Sequence, residues 1–556
     1  MPTIKKTLSR LFDPIDIAPL VLFRIAFGAL MLWEVWRYFE YDRIARYYVE
    51  PTYFFYYWGF DWLSPLPGDG MFWLFHGLGL LAILILLGAF YRPAMVLFWL
   101  AFTYVFLLDK AQYLNHFYLV SLVSFLLIFI PAHRAFSVDA WLRPGIRSQQ
   151  VPQWSLWLLR GQMAVVYFFG GVAKLNPDWF AGQPLREWMG ARTDFPIIGS
   201  LFTEEWMVYL FTYSGLLLDL FVVPFLLWRR TRPFALLLAI TFHLLNSQLF
   251  NIGIFPWFAI AATLIFLPPS TFRPRWLPLP AASLPALSGS RQRWILAAMV
   301  LYFAVQIVLP LRHFLYPGDA SWTEEGHVYA WRMRLREKDG EITFYASNPQ
   351  TGTSWPLDVA QILNPRQLDQ MKDNPPMILQ FAHYLAEPLQ AVEPTIRIHA
   401  HVPMSLNSRT PQLMIDPSAD LSREPDSLFM ADWIVPLTQK PYPHPPVPTI
   451  LLSRRIEGGL ILMNIAEAAY PLHDVVIRVG AQALTAQDFG VTILEPGECV
   501  KAFLPGTDLG RIFVPCNEVG QLASLASSSQ QETVVFESGP ISQPCQAASC
   551  VFTRHD

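Results

Sequence analysis

A membrane α-helical bundle followed by a β-rich extracytoplasmic region is the fold class this sequence predicts, on three observations. Of its 556 residues, 53% are hydrophobic and 15% charged, against roughly 25% charged in soluble domains. Apolar runs long enough to span recur at 17–38, 71–91, 94–108, 114–131, 154–174, 206–228, 233–250, 254–268 and 294–312, about nine transmembrane helices. Beyond 312 the apolar residues come in short runs punctuated by Pro, Gly and Asn, which predicts strands and turns. These runs are HVYAWRMRL (327–335), EITFYA (341–346), TIRIHAHV (395–402), GLILMNIA (459–466) and DVVIRV (474–479).

Charge orients the helices. The first run follows Lys5, Lys6 and Arg10 without a small-residue cleavage site, so it reads as a retained helix with a cytoplasmic N-terminus. The turns after the second, fourth, sixth and eighth helices then lie inside. They carry Arg92; Arg134, Arg143 and Arg147; Arg229, Arg230 and Arg232; and Arg273, Arg275, Arg291 and Arg293. The opposite loops are mixed or acidic, with Asp178, Glu187, Asp194, Glu204 and Glu205. An odd number of spans places everything after 312 outside the cytoplasm, which is the periplasm if the chain is bacterial.

Four regions follow: a multi-pass catalytic part (1–312), an extracytoplasmic α+β module (313–439), a β-sandwich-like module (449–525) and a loose Ser/Gln-rich tail (526–556). The Pro-rich stretch KPYPHPPVP (440–448) separates the two modules, and QLDQMKDNPPMILQFAHYLAEPL (367–389) reads as a helix with a proline break. All four cysteines fall late, at Cys499, Cys516, Cys545 and Cys550. Two late pairs suggest disulfides in an oxidising compartment, with free structural thiols as the alternative. The net charge of −3 offers no basic face to nucleic acid. No HExxH, GxSxG, P-loop or strand–helix GxGxxG motif is present, and no metal-ligand cluster.

Polar residues gather at one membrane face. The third helix ends at Asp109 and Lys110, the fourth begins at Asn115 and His116, and the fifth closes on Lys174. The last turns of the seventh hold His243, Asn246, Ser247 and Gln248. At roughly 1.5 Å rise per residue all should lie within about two turns of the outer interface. Intramembrane ionisable groups are functional candidates by default, although an end-of-helix lysine can simply reach the headgroups. A second layer nearer the cytoplasm, Arg24, Arg160 and Asp219, reads as a structural ion cluster, with Glu34 or a lipid phosphate completing its charge balance.

Six ordered motifs go beyond general physics. YVFLLDK (104–110), NHFYL (115–119), FSVD (136–139), LRGQMAVVYFFGGVAKLNPDW (159–179), GLLLDL (215–220) and FHLLNSQLFNIGIF (242–255) closely resemble the vitamin K-dependent γ-glutamyl carboxylase family. The chain resembles its bacterial-type members, which carry a horizontally transferred transmembrane domain. The likeness continues weakly through WRMRL and SLNSRTPQLMIDP (405–417) to about residue 420. It implies an enzyme that oxygenates vitamin K hydroquinone to the epoxide and couples this to γ-carboxylation of protein glutamate.

By the same resemblance Lys174 matches the base that deprotonates the hydroquinone, and His116, with Asn115 beside it as a further hydrogen-bond donor, matches a histidine that supports that chemistry. His243 matches a histidine close to the same pocket. Asn246, Gln248, Asp109 and Lys110 belong with them as quinone- or substrate-binding candidates. An amine acting as base must be unprotonated, and burial among apolar walls favours that form. The implied reactants are the hydroquinone (vitamin K or menaquinol), O2 and CO2, without a metal. The implied partners are lipid, quinone and an extracytoplasmic protein or peptide.

Two departures stand out. The animal enzymes have a lysine pair where this chain has Ala173–Lys174, and the absence of early cysteines excludes their disulfide from an outer loop to the soluble region. An epoxidase uncoupled from carboxylation, a non-enzymatic quinone- or lipid-binding protein and a transporter are the alternatives.

Overall fold

The structure, a computed structural model, describes residues 8–250, 252–268, 271 and 288–438, together with the backbone of strands between 449 and 554. The chain divides into two compact units, Met1–Gln439 and Lys440–Asp556.

In the first unit each of the nine apolar runs forms a helix. They are α1 (Ala18–Glu40), α2 (Gly70–Leu87), α3 (Tyr91–Leu108), α4 (Asn115–Phe129), α5 (Trp154–Ala173), α6 (Glu205–Leu227), α7 (Arg232–Leu249), α8 (Phe255–Leu264) and α9 (Gly289–Leu311). Among the described residues six of them, α1, α2, α3, α5, α6 and α9, are long and apolar enough to cross a membrane. The other three fall short of the expected nine spans. α4 has 15 residues and α8 has 10, while α7 is long enough but ends in the polar turn Asn246–Ser247–Gln248.

Helix ends leave carbonyls without partners, which is costly away from water. Arginines supply the donors. Arg92 donates to Ile128 and Phe129 at the end of α4. Arg160 donates to the Ile265 carbonyl just past α8, from Nε at 3.1 Å and Nη2 at 2.8 Å. Arg232 does the same for Leu226 and Leu227 at the end of α6, and Arg24 for Ala132 and Phe136 beyond α4. The expected ion cluster of Arg24, Arg160 and Asp219 therefore does not form. A guanidinium with five donors finds carbonyls a better match than one distant carboxylate, and Asp219 is paired elsewhere. Glu34 is held by Arg37 at 2.7 Å and by Arg43 at 3.8 Å.

Above the helices, the expected strand at 327–335 is instead a run of turns. Tyr329, Trp331 and Arg334 have φ of 65°, 58° and 52°, a left-handed backbone that no strand accommodates. Two antiparallel three-stranded sheets follow. One pairs Lys338–Gly340, Pro403–Leu406 and Gln412–Leu413; the other pairs Thr353–Leu357, Thr343–Asn348 and Arg397–His401. The proline break separates α10 (Pro365–Lys372) from α11 (Pro375–Val392), and Asn364 with Gln367 closes a capping box on α10. Phe344, Phe381 and Met404 centre this core, which also takes in Tyr53 and Phe55 from the loop after α1.

The described residues of the second unit are all in strands. A five-stranded antiparallel sheet contains Thr449–Ile456, Gly459–Asn464, Cys499–Phe503, Ile512–Phe513 and Ser549–Arg554. A four-stranded sheet contains Gln482–Thr485, Val475–Val479, Val534–Ser538 and Ile541–Cys545. The tail expected to be loose thus contributes three strands, because Val534–Ser538 and Ser549–Arg554 pair with earlier ones. The side chains of Cys499, Cys545 and Cys550, and Cys516 altogether, lie outside the described residues.

Candidate active site

Six of the nine apolar helices, α1 and α4 to α8, converge on a cavity of about 530 Å³ beneath the 324–336 segment. That is the size of a small-molecule site. Lys174 closes α5 and is 7% exposed. Its Nζ donates to Asp219 Oδ2 on α6 at 2.6 Å and to the Gly170 carbonyl at 3.1 Å. It also sits 5.1 Å from the centre of the Trp179 ring.

Glycines make this pair possible. A Cβ at Gly171 would lie 2.7 Å from Leu220 Cδ2 and 3.1 Å from Leu220 N, and one at Gly170 would lie 3.4 Å from Asp219 Oδ2. The sequence pattern puts Asp219 in the opposite layer because it counts depth from the start of α6. The first half of α6 packs instead on the segment after α5, where Trp179 Nε1 donates to the Thr212 carbonyl at 3.0 Å. Residue 219 of α6 therefore meets the end of α5.

His243 is almost fully enclosed on α7. Its Nε2 lies 2.7 Å from the Tyr167 hydroxyl, and its Nδ1 is buried without a partner. Tyr167 lines the cavity and was missed by the sequence reading. It stands seven residues, two turns, before Lys174 on the same helix face, which is the signal that could have found it. His116 lines the cavity between the rings of Phe117 and Phe255, at 4.7 Å and 6.1 Å. Asn115 lines it too but is engaged. Tyr113 donates to its Oδ1 at 3.0 Å, and its Nδ2 donates to the Arg332 carbonyl at 3.2 Å. Asn115 thus ties α4 to the 329–332 turn.

Asn246 and Lys110 also line the cavity, whereas Asp109 and Gln248 do not. Gln248 is exposed. Asp109 is a staple: its Oδ1 accepts from the Phe55 and Ala111 amides at 3.2 Å and 3.0 Å, and its Oδ2 from Gln367 at 3.2 Å. Burial pushes its carboxyl up to about 6, against the pull of those hydrogen bonds.

The cavity wall carries a surplus of positive charge. Arg37, Arg43, Arg332, Arg334, Arg336 and Arg366 line it beside Lys110 and Lys174, facing three carboxylates, Glu34, Asp219 and Glu324. All three are already paired, Glu324 with Arg336 and with Lys338 at 2.9 Å. Burial opposes ionisation of Glu324, but Arg336, Lys338 and His327 overcome it and hold the carboxyl well below its usual range. These arginines are not among the residues that the sequence singles out. The two-residue spacing in WRMRLR was legible as a charged face, but not the turns that aim it at the helices.

An amine with a carboxylate partner, two imidazoles and a phenol can accept a proton from a weakly acidic hydroxyl. The surplus cations can hold an anion beside it. The outer part of this site is fastened by Asp178, which binds Arg409 through both oxygens and accepts from Asn407 Nδ2 at 2.6 Å. Two separate stretches, LNPDW and SLNSR, meet there.

Two family domains match the chain. The HTTM domain covers residues 12–271, and the vitamin K-dependent gamma-carboxylase lumenal domain covers 291–440. No solved structure matches. The apolar helices make the chain a membrane protein, and the lumenal match makes its C-terminal part extracytoplasmic. The chain belongs to the vitamin K-dependent γ-glutamyl carboxylase family, enzymes that act on vitamin K and a protein substrate.

Proposed function

We propose that this chain oxygenates vitamin K hydroquinone to the epoxide and couples that reaction to γ-carboxylation of a protein glutamate. It does so at the outer face of a membrane, with its N-terminus in the cytoplasm. The observation that carries this reading is the Lys174–Asp219 pair at 2.6 Å, buried in a cavity that His116 and His243 also line. The hydroquinone, with O2 and CO2, supplies the oxidative and carboxylating chemistry when bound.

The chain's own residues do the rest. Lys174 and Asp219 hold one proton between them, so passing it to Asp219 leaves a neutral amine facing the cavity. That amine accepts the proton of a hydroquinone hydroxyl. The unpartnered Nδ1 of His243 fits a ring oxygen of such a ligand, since a buried polar nitrogen is otherwise costly. Tyr167 fixes the His243 ring by binding Nε2. The surplus of arginine around the outer part of the cavity suits the carboxylate of a glutamate side chain entering from the aqueous side.

The test is epoxide formation by the purified chain in nanodiscs, given reduced vitamin K and O2, with Lys174→Ala and Lys174→Arg alongside. The wild type should form epoxide, and both variants should lose at least about a hundredfold in rate, the scale of a general base. Labelled bicarbonate and a glutamate peptide then test the coupling: label in the peptide supports it, and epoxide without label means an uncoupled epoxidase. Folded wild type that gives no epoxide with any reduced quinone overturns the reading in favour of quinone or lipid binding.

A further inference from the structure

Lys110 is the one lysine in the cavity wall that the proposed proton transfer leaves unused. Its main chain is fixed from two sides: its own amide donates to the Phe55 carbonyl at 2.6 Å, and neighbouring Asp109 is stapled to Phe55, Ala111 and Gln367. Its Nζ has no hydrogen-bond or ion-pair partner among the described residues. The carboxylates that share the cavity are each held by another cation. Nearby, Arg312 keeps a buried Nη1 with no partner while its Nη2 is spent on the Val328 carbonyl. A bare amine in the cavity wall and an unsatisfied guanidinium close to it leave donors that no protein group engages.

We propose that Lys110 is a CO2-capture site whose amine is reversibly carbamylated, holding CO2 as an anion in the wall of the active-site cavity. This rests on the reading that CO2 is consumed there. The Nζ lone pair attacks the carbon of CO2 and a C–N bond forms. One C=O π pair moves onto oxygen, and a proton leaves nitrogen for water. Neutral amine and CO2 thus become a carbamate anion and a proton, with no change of oxidation state. Protonating the nitrogen reverses the step and returns CO2 inside the cavity. The carbamate anion is favoured by the neighbouring Arg312 guanidinium and opposed by Asp426 and Glu324.

Availability of the amine agrees with this. Burial lowers the Lys110 pKa to about 8, with Asp426 and Glu324 pulling it up and Arg312 pushing it down. About a tenth of the amine is then neutral at pH 7, and about half at pH 8, where an ordinary lysine is almost wholly protonated. Carbamylation should therefore rise as pH passes from about 7 to 8 and level off above.

The experiment is trapping in the full chain in nanodiscs. Protein is equilibrated with 13C-labelled bicarbonate and CO2, alkylated with triethyloxonium to esterify carbamates, digested and read by mass spectrometry. A labelled adduct on Lys110 is expected, at least about tenfold above that on other lysines, rising through pH 8 and gone in Lys110→Arg. A 13C carbamate resonance present in wild type and missing from that variant should accompany it. No Lys110 adduct at saturating CO2, or equal labelling of all lysines, overturns the proposal. Epoxidation and peptide carboxylation measured on the same preparation separate the two claims. Product without adduct sinks the carbamate and spares the enzyme reading; adduct without product does the reverse.

Discussion

Lys174 and Asp219, which share the proposed proton transfer, also depend on each other for stability as a buried pair. Removing one partner of a buried pair leaves the other uncompensated, at a cost of roughly 3–5 kcal/mol, whereas replacing both by apolar groups can be nearly neutral. Lys174→Met should therefore lower the melting temperature markedly, and Lys174→Met with Asp219→Leu should recover most of the loss. Neither should form epoxide. Thermal unfolding beside the epoxide assay checks this, and a double variant as unstable as the single one would show that the 2.6 Å contact is not what holds the two helices. Lys174 was legible in the sequence because it closes a long apolar run at the level where Asn115, His116 and His243 also gather. Asp219 was visible but assigned to the wrong layer, since sequence gives distance along a helix and not the level at which its neighbour ends. Tyr167 was hidden for the opposite reason: a tyrosine inside an apolar run looks like packing, and only the 2.7 Å contact with His243 gives it a role.

Between helices, closeness is decided by the residues that are absent. Gly170 and Gly171 let α5 settle against α6 with Leu220 almost touching the backbone. Gly28 does the same for α1, where a Cβ would lie 2.6 Å from Leu86 N. Small residues at such crossings are how membrane helices approach without a hydrophobic driving force. Gly171→Ala puts a methyl against Leu220; the leucine side chain can turn away, but its amide nitrogen at 3.1 Å cannot. The helices must part by a few tenths of an ångström, which lengthens the Lys174–Asp219 contact. The expected result is an epoxide rate lowered by at least about tenfold in a protein that still folds, because proton transfer depends steeply on donor–acceptor distance. A rate unchanged in Gly171→Ala would mean that the pair tolerates separation. The helices themselves were readable from apolar runs. The 327–335 segment was not, because alternating Trp, Arg, Met and Leu imitates a strand while the left-handed residues Tyr329, Trp331 and Arg334 belong to turns. Such backbone persists only where surrounding contacts over-determine it, and Asn115 at the start of α4 and Tyr113 just before it supply those contacts.

At the scale of the first unit, the site exists only because the region after α9 is held over the helices. Asp109 fastens Gln367 of α10, Asn115 fastens the 329–332 turn, and Asp178 fastens Arg409. Membrane and outer regions were separable in the sequence by hydropathy and strand-length runs. Their fastening was not, since Asp178 and Arg409 are 231 residues apart and each taken alone resembles an ordinary loop charge. Only the resemblance brought LNPDW and SLNSR onto one page, and it did so without saying that they touch. The Asp178–Arg409 pair is almost fully buried, its side chains 8% and 3% exposed. Truncating the arginine therefore strands a carboxylate at a cost of roughly 3–5 kcal/mol. Arg409→Ala should loosen the outer region before it unfolds any helix, so limited proteolysis should cut within 313–438 sooner than in the wild type. The apparent KM for a glutamate peptide should rise more than that for the hydroquinone, because the proposed peptide route passes the loosened part. Adding Asp178→Asn removes the stranded charge and should restore most of the protease resistance. If the double variant is cut as fast as Arg409→Ala, the lost contact geometry outweighs the buried charge, and the clasp holds by shape more than by electrostatics.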